Sequence, residues 1–171
     1  MRTNRTQVVA ISGLLTTLML VLGLIERQFP LNVAIPGIKL GLANSVLVYS
    51  LYILGVRQTL VLALLKALLS WLIYMNMSAM LYSLAGGICS VAFMILVYRM
   101  KSMSVMGTSA LGAVGFNVGQ TLMAALVLHT PQLLVTYLPV LLVAGLLTGL
   151  LTGIIAQMVM RHLKTLNNRR Q

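Results

Sequence analysis

The chain has 171 residues, 60% of them hydrophobic and 8% charged, against roughly 25% charged residues in an ordinary soluble domain, so the bilayer is its solvent. The formal charge of +11 does not point to nucleic acid, because the twelve Lys and Arg are spread among apolar spans and form no patch. Glu26 is the single carboxylate side chain and Cys89 the single cysteine, which leaves no ordinary ligand set for a hard metal ion and no internal disulfide.

Arg2 and Arg5 ahead of the apolar run 8–25 have the form of a signal peptide. No small-x-small cleavage site precedes Glu26, so the run reads as a retained first helix. On it Ser12 with Thr16, and Gly13 with Thr17, make a small-residue face that suits close approach of a partner protein. The segment from Glu26 to Lys39 contains Pro30, Pro36 and Gly37, which break helix and favour an ordered bend. Further spans are expected at 40–56, 58–74, 78–98, 104–128 and 133–160, each with enough apolar length for a crossing of roughly 30 Å. The fold class is therefore an all-α, six-helix transmembrane bundle, one domain over 1–171.

Most connections are short, as at Gly55-Val56-Arg57-Gln58 and His129-Thr130-Pro131-Gln132. Gly86-Gly87 is expected to interrupt the fourth helix. Gly115 with Gly119, and Gly145 with Gly149 and Gly153, have the spacing of close helix–helix packing. Nine basic residues (Arg2, Arg5, Arg57, Arg99, Lys101, Arg161, Lys164, Arg169, Arg170) fall on one side, and only Arg27 and Lys39 on the other. The positive-inside rule then puts both termini in the cytoplasm of a multi-pass cell-membrane protein.

Lys66 is the remaining cation. It follows Arg57 by nine residues, about 13 Å at the helical rise, which places it near the bilayer centre. A charge there costs about 2.5–3.5 kcal/mol on insertion scales and usually faces a cavity or a partner. No span offers a carboxylate, so the reading is of an anionic ligand, or of a lysine held by carbonyls and water. Thr59, Lys66, Ser70 and Tyr74 share one face of that helix. Asn44, Ser83, Ser90, Asn117, Gln120 and Thr121 are candidate walls from other spans, with interhelical hydrogen bonding, about 0.6 kcal/mol per contact, as the structural alternative. With Lys39 at the outer end, the set describes a basic, polar-lined pocket opening outward beneath the bent segment, suited to a phosphate, carboxylate or other electron-rich group with a lipidic or aromatic remainder. His129 reads as an interfacial cap, and Glu26 as an exposed partner for Arg27 or Lys39.

At Pro36-Gly37-Ile38-Lys39-Leu40-Gly41-Leu42-Ala43-Asn44, at Ser83-Leu84-Ala85-Gly86-Gly87 and at Gly112-Ala113-Val114-Gly115-Phe116-Asn117-Val118-Gly119-Gln120, the sequence resembles the Gx transporter family, also labelled heptaprenyl diphosphate synthase component I. The family commonly has His where Phe116 stands. The resemblance implies a membrane bundle with both termini inside, similar to the substrate-binding S components of energy-coupling factor vitamin transporters. In those, small residues of the first helix dock on a transmembrane coupling protein driven by two cytoplasmic ATPases. Its signature polar positions correspond here to Lys39, Asn44, Asn117 and Gln120. The chain has no P-loop of its own, so ATP dependence would come from partners. The second label implies a membrane accessory subunit of isoprenoid or quinone biosynthesis. Prenyl elongation relies on Mg²⁺ held by aspartate-rich motifs, and aspartate is absent here, so catalysis by this chain is not expected. No cofactor is expected either, and the partners anticipated are a small-molecule substrate, membrane lipid, the coupling protein and the ATPases.

Overall fold

The computed structural model describes residues 5–28, 42–75, 77–100 and 104–168, with their side chains except those at 27, 74, 79 and 163–168. Among these residues the chain is all helix: α1 (Arg5–Gln28), α2 (Leu42–Ile53), α3 (Val56–Tyr74), α4 (Met77–Arg99), α5 (Val105–Val127), α6 (Gln132–Thr136) and α7 (Leu138–Asn168). Five of them, α1, α3, α4, α5 and α7, are long and apolar enough to cross a membrane. A multi-pass membrane protein follows from their length and composition.

The second expected span differs. Among its described residues helix covers twelve, Leu42–Ile53, about 18 Å against a hydrocarbon core of roughly 30 Å. The helix stops because Gly55 takes φ +89°, a left-handed backbone open to glycine. The Leu54 and Gly55 amides both turn back onto the Ser50 carbonyl, at 2.8 and 3.2 Å. Thr59 then locks the turn, its hydroxyl 3.0 Å from that of Ser50. The last expected span divides into α6 and α7. Pro139 sits in the first turn of α7, where its missing N–H leaves no intrahelical bond unmade.

α5 is the centre of the bundle, packed on α4 and α7 and touching α2. The close approach is a glycine effect. A β-carbon at Gly119 would stand 2.5 Å from the Ala85 carbonyl oxygen of α4, and one at Gly149 would stand 2.6 Å from the Ala110 Cα of α5. Contrary to the sequence expectation, Gly86 and Gly87 leave α4 unbroken from Met77 to Arg99. Without a water-filled alternative for its amides, a membrane helix keeps its ladder through glycine; the missing side chain at Gly86 makes room for Phe116 instead.

Leu15, Met19, Leu47, Leu51, Leu62, Val91 and Met94 form the apolar core between α1, α2, α3 and α4. α1 is the outlier. It packs mainly on α2 and α3 and leaves Val9, Leu14, Leu18, Val21 and Leu24 exposed. At one end of the bundle Tyr52 of α2 meets the Tyr98 ring of α4 edge-on at 5.1 Å and the Thr108 hydroxyl of α5 at 3.0 Å. Arg57 and Arg99 emerge at that end, beside the start of α1.

Candidate functional site

Three helices meet around Lys66, two of them through polar side chains and the third through an aromatic ring. Asn44 is buried in the first turn of the short α2. Lys66, half-buried on α3, donates through Nζ to Asn44 Oδ1 at 3.4 Å. The same ammonium lies 5.5 Å from the centre of the Phe116 ring of α5. That is within the roughly 6 Å over which a ring quadrupole attracts a cation, an effect worth about 2 kcal/mol when water is excluded. The sequence reading gave Lys66 either an anionic ligand or carbonyls and water as company. The fold supplies an amide oxygen and an aromatic face, two neutral groups whose partial negative charge faces the ammonium. Phe116 in turn is set by Gly86, where a β-carbon would meet the ring at 2.9 Å.

The other candidates separate into groups. Asn117 and Gln120 are brought together, with Gln120 Nε2 donating to Asn117 Oδ1 at 3.1 Å. Asn117 Nδ2 reaches across to the Leu141 carbonyl of α7 at 2.6 Å, through the space left by Gly145. The Thr121 hydroxyl donates to the Asn117 carbonyl at 2.7 Å. This amide pair therefore ties α5 to α7, one helical position round from the face of Phe116. Ser83 is buried on α4, and the Ala85–Gly119 register puts it level with Gln120 and Thr121. Ser90 is wholly buried, and its hydroxyl oxygen has no hydrogen-bond partner. Ser70 is half-buried one turn beyond Lys66. Thr59, from the same stripe, is spent on the α2–α3 turn. Lys39 and the side chain of Tyr74 lie outside the described residues, as do the first motif's residues up to Gly41.

The small-residue face of α1 lies in a groove of about 610 Å³ shared with α3, lined by Ser12, Gly13, Thr16 and Thr17 together with Arg57 and Gln58. The hydroxyls of Thr16 and Thr17 are satisfied within α1 by the Ser12 and Gly13 carbonyls, at 2.8 and 3.0 Å. Polar demand on the groove is thus low. A β-carbon at Gly13 would meet nothing within 4 Å among the described residues, so this glycine, unlike those of α5 and α7, packs on no other described helix.

Two residues escaped their proper weight in the sequence. Phe116 stands out only as a bulky ring opposite a glycine pair, a cross-helix signal that no single-helix pattern contains. Glu26 reads as an exposed ion-pair partner, whereas it is 9% exposed and its Oε1 accepts the Leu42 amide N–H at 2.7 Å. That N–H belongs to the first turn of α2, where the donors lack intrahelical partners and a carboxylate is favoured. Among the described residues no group of three or more His, Cys, Asp or Glu could hold a metal ion.

Residues 15–159 match the family model described as heptaprenyl diphosphate synthase component I. No curated protein and no solved structure matches the chain.

Proposed function

The chain belongs to the heptaprenyl diphosphate synthase component I family, and from that membership and the lysine site we propose that it is a substrate-binding membrane subunit of a transporter, similar to an S component. The observation that carries this reading is Lys66 at mid-span, held between Asn44 and the Phe116 ring. A cation is costly at that depth. An amide oxygen and a ring orient it without cancelling its charge, so an anionic group is the ligand it suits. The aromatic and aliphatic surroundings fit a lipidic or aromatic remainder, as in a small anionic isoprenoid-related metabolite. The two termini are cytoplasmic in this reading, and the pocket opens outward. Lys39, Asn44, Lys66, Ser70, Tyr74, Ser83, Asn117 and Gln120 line it or brace its walls.

The groove between α1 and α3 supports a docking role for Ser12, Gly13, Thr16 and Thr17, with a transmembrane coupling protein and its cytoplasmic ATPases as the partners. The chain itself is not an enzyme in this reading. Its one carboxylate is engaged as a helix cap, which leaves no residue to hold the Mg²⁺ of a prenyl diphosphate.

Mass spectrometry of small molecules that co-purify with the protein, repeated on Lys66→Ala, tests the reading. A wild-type-specific anionic metabolite is expected, and equal retention by the variant would remove Lys66 from the site. The family's description as a synthase component favours a second reading, a non-catalytic accessory subunit that anchors a soluble prenyl diphosphate synthase at the membrane. Capture of such a synthase, in place of ATPases and a coupling protein, would select it.

A further inference from the structure

The lysine site stands at the top of a chain of contacts that begins on α1. Glu26, the sole side-chain carboxylate of the protein, is near the C-terminal end of α1 and is 9% exposed. Its Oε1 accepts the N–H of Leu42 at 2.7 Å. Leu42 opens α2, and two residues later Asn44 presents Oδ1 to Lys66 Nζ at 3.4 Å. Among the described residues α2 begins at Leu42, and first-turn N–H groups of a helix have no partner within it. A carboxylate at that terminus satisfies one of them and interacts favourably with the positive end of the helix dipole. Leu22 packs against the core one turn before Glu26, while Leu24 and Ile25 beside it are exposed.

We propose that Glu26 is a positioning residue for the lysine site: by capping α2 from α1 it sets where Asn44 stands, and so holds the Lys66 ammonium over Phe116. A shift of α1 is thereby passed to Lys66 through one hydrogen bond and one short helix turn. This rests on the reading of Lys66 as the ligand site and of α1 as the docking helix. Its test needs neither ligand nor partner, so the two can fail separately.

The probe is acetic anhydride, which acetylates only an unprotonated amine, applied to the full-length protein in lipid nanodiscs. The rate at Lys66 is read by peptide mass spectrometry against Lys101 and Lys164. Glu26→Ala should raise the Lys66 rate about fivefold, the factor expected for a lost carboxylate–helix-terminus contact. Glu26→Gln, which keeps an acceptor oxygen, should restore most of the protection. In an Asn44→Ala background Glu26→Ala should add nothing, because the effect travels through Asn44. An unchanged Lys66 rate in Glu26→Ala, or effects of the two substitutions that multiply in full, would overturn the proposal. If Glu26→Ala does not fold, amide hydrogen exchange of residues 42–45 in Glu26→Met, which has no acceptor oxygen, decides: faster exchange confined to that turn supports the cap, and unchanged exchange rejects it.

Discussion

Lys66 meets an amide oxygen and an aromatic ring, and in the proposed reading those partners mark a functional cation. A lysine kept for stability would gain most from a carboxylate, and a lysine kept for an anion would be neutralised by one. Asn44 and Phe116 orient the ammonium and leave its net charge in place. Replacement by an apolar side chain of similar length removes the desolvation cost of a cation at mid-span. Lys66→Met is expected to raise stability by on the order of 1 kcal/mol while abolishing ligand retention, the trade typical of strained functional positions. Thermal unfolding in detergent, with mass spectrometry of the bound fraction, checks both; a loss of stability would mark Lys66 as structural. Asn117 makes the opposite case. It joins Gln120 to the Leu141 carbonyl, so Asn117→Ala should lower stability by about 1 kcal/mol, near the upper range of interhelical polar contacts in membranes. The same unfolding measurement reads it.

Among the helices the glycines divide into two kinds. Those of α5 and α7 face a neighbour at distances that a methyl group would violate, so they set how close and at what rotation the helices pack. Gly13 of α1 faces open space within the chain at the mouth of a groove. Gly149→Leu should cost about 1–3 kcal/mol through overpacking. Gly13→Leu should leave the melting temperature at its wild-type value and still eliminate recovery of a membrane partner in co-purification. A stable Gly13→Leu protein that retains its partner would take the docking role away from this face. The short α2 belongs to the same scale, since its length and its cap by Glu26 decide the depth at which Asn44 meets α3.

For the whole molecule, antiparallel packing collects Arg5, Arg57, Arg99 and Arg161 at one end and leaves Glu26 and His129 at the other. Basic loops are retained on the cytoplasmic side during insertion, so a cysteine at position 57 or 161 in a Cys89→Ser background should react with a membrane-impermeant maleimide only in inverted vesicles. A cysteine at position 129 should react only in right-side-out ones. Labelling of all three from the same face would contradict the orientation. The arrangement also puts the groove residues Arg57 and Gln58 at the basic end.

Membrane class, helical content and the polar positions of each span were legible in the sequence, because hydropathy is a sum over some twenty consecutive residues and needs no knowledge of neighbours. Lys66, Asn44, Asn117 and Gln120 stood out for the same reason: each is polar in an apolar run. Which of them meet was not legible. The rotation of one helix against another depends on where backbones approach through glycine, and that placed Asn117 and Gln120 against α7 while turning Phe116 toward the lysine. The shortness of α2 and the burial of Glu26 were likewise decided in three dimensions. A carboxylate beside a loop reads as solvated until the helix terminus that takes its charge, sixteen residues on in the chain, is brought against it.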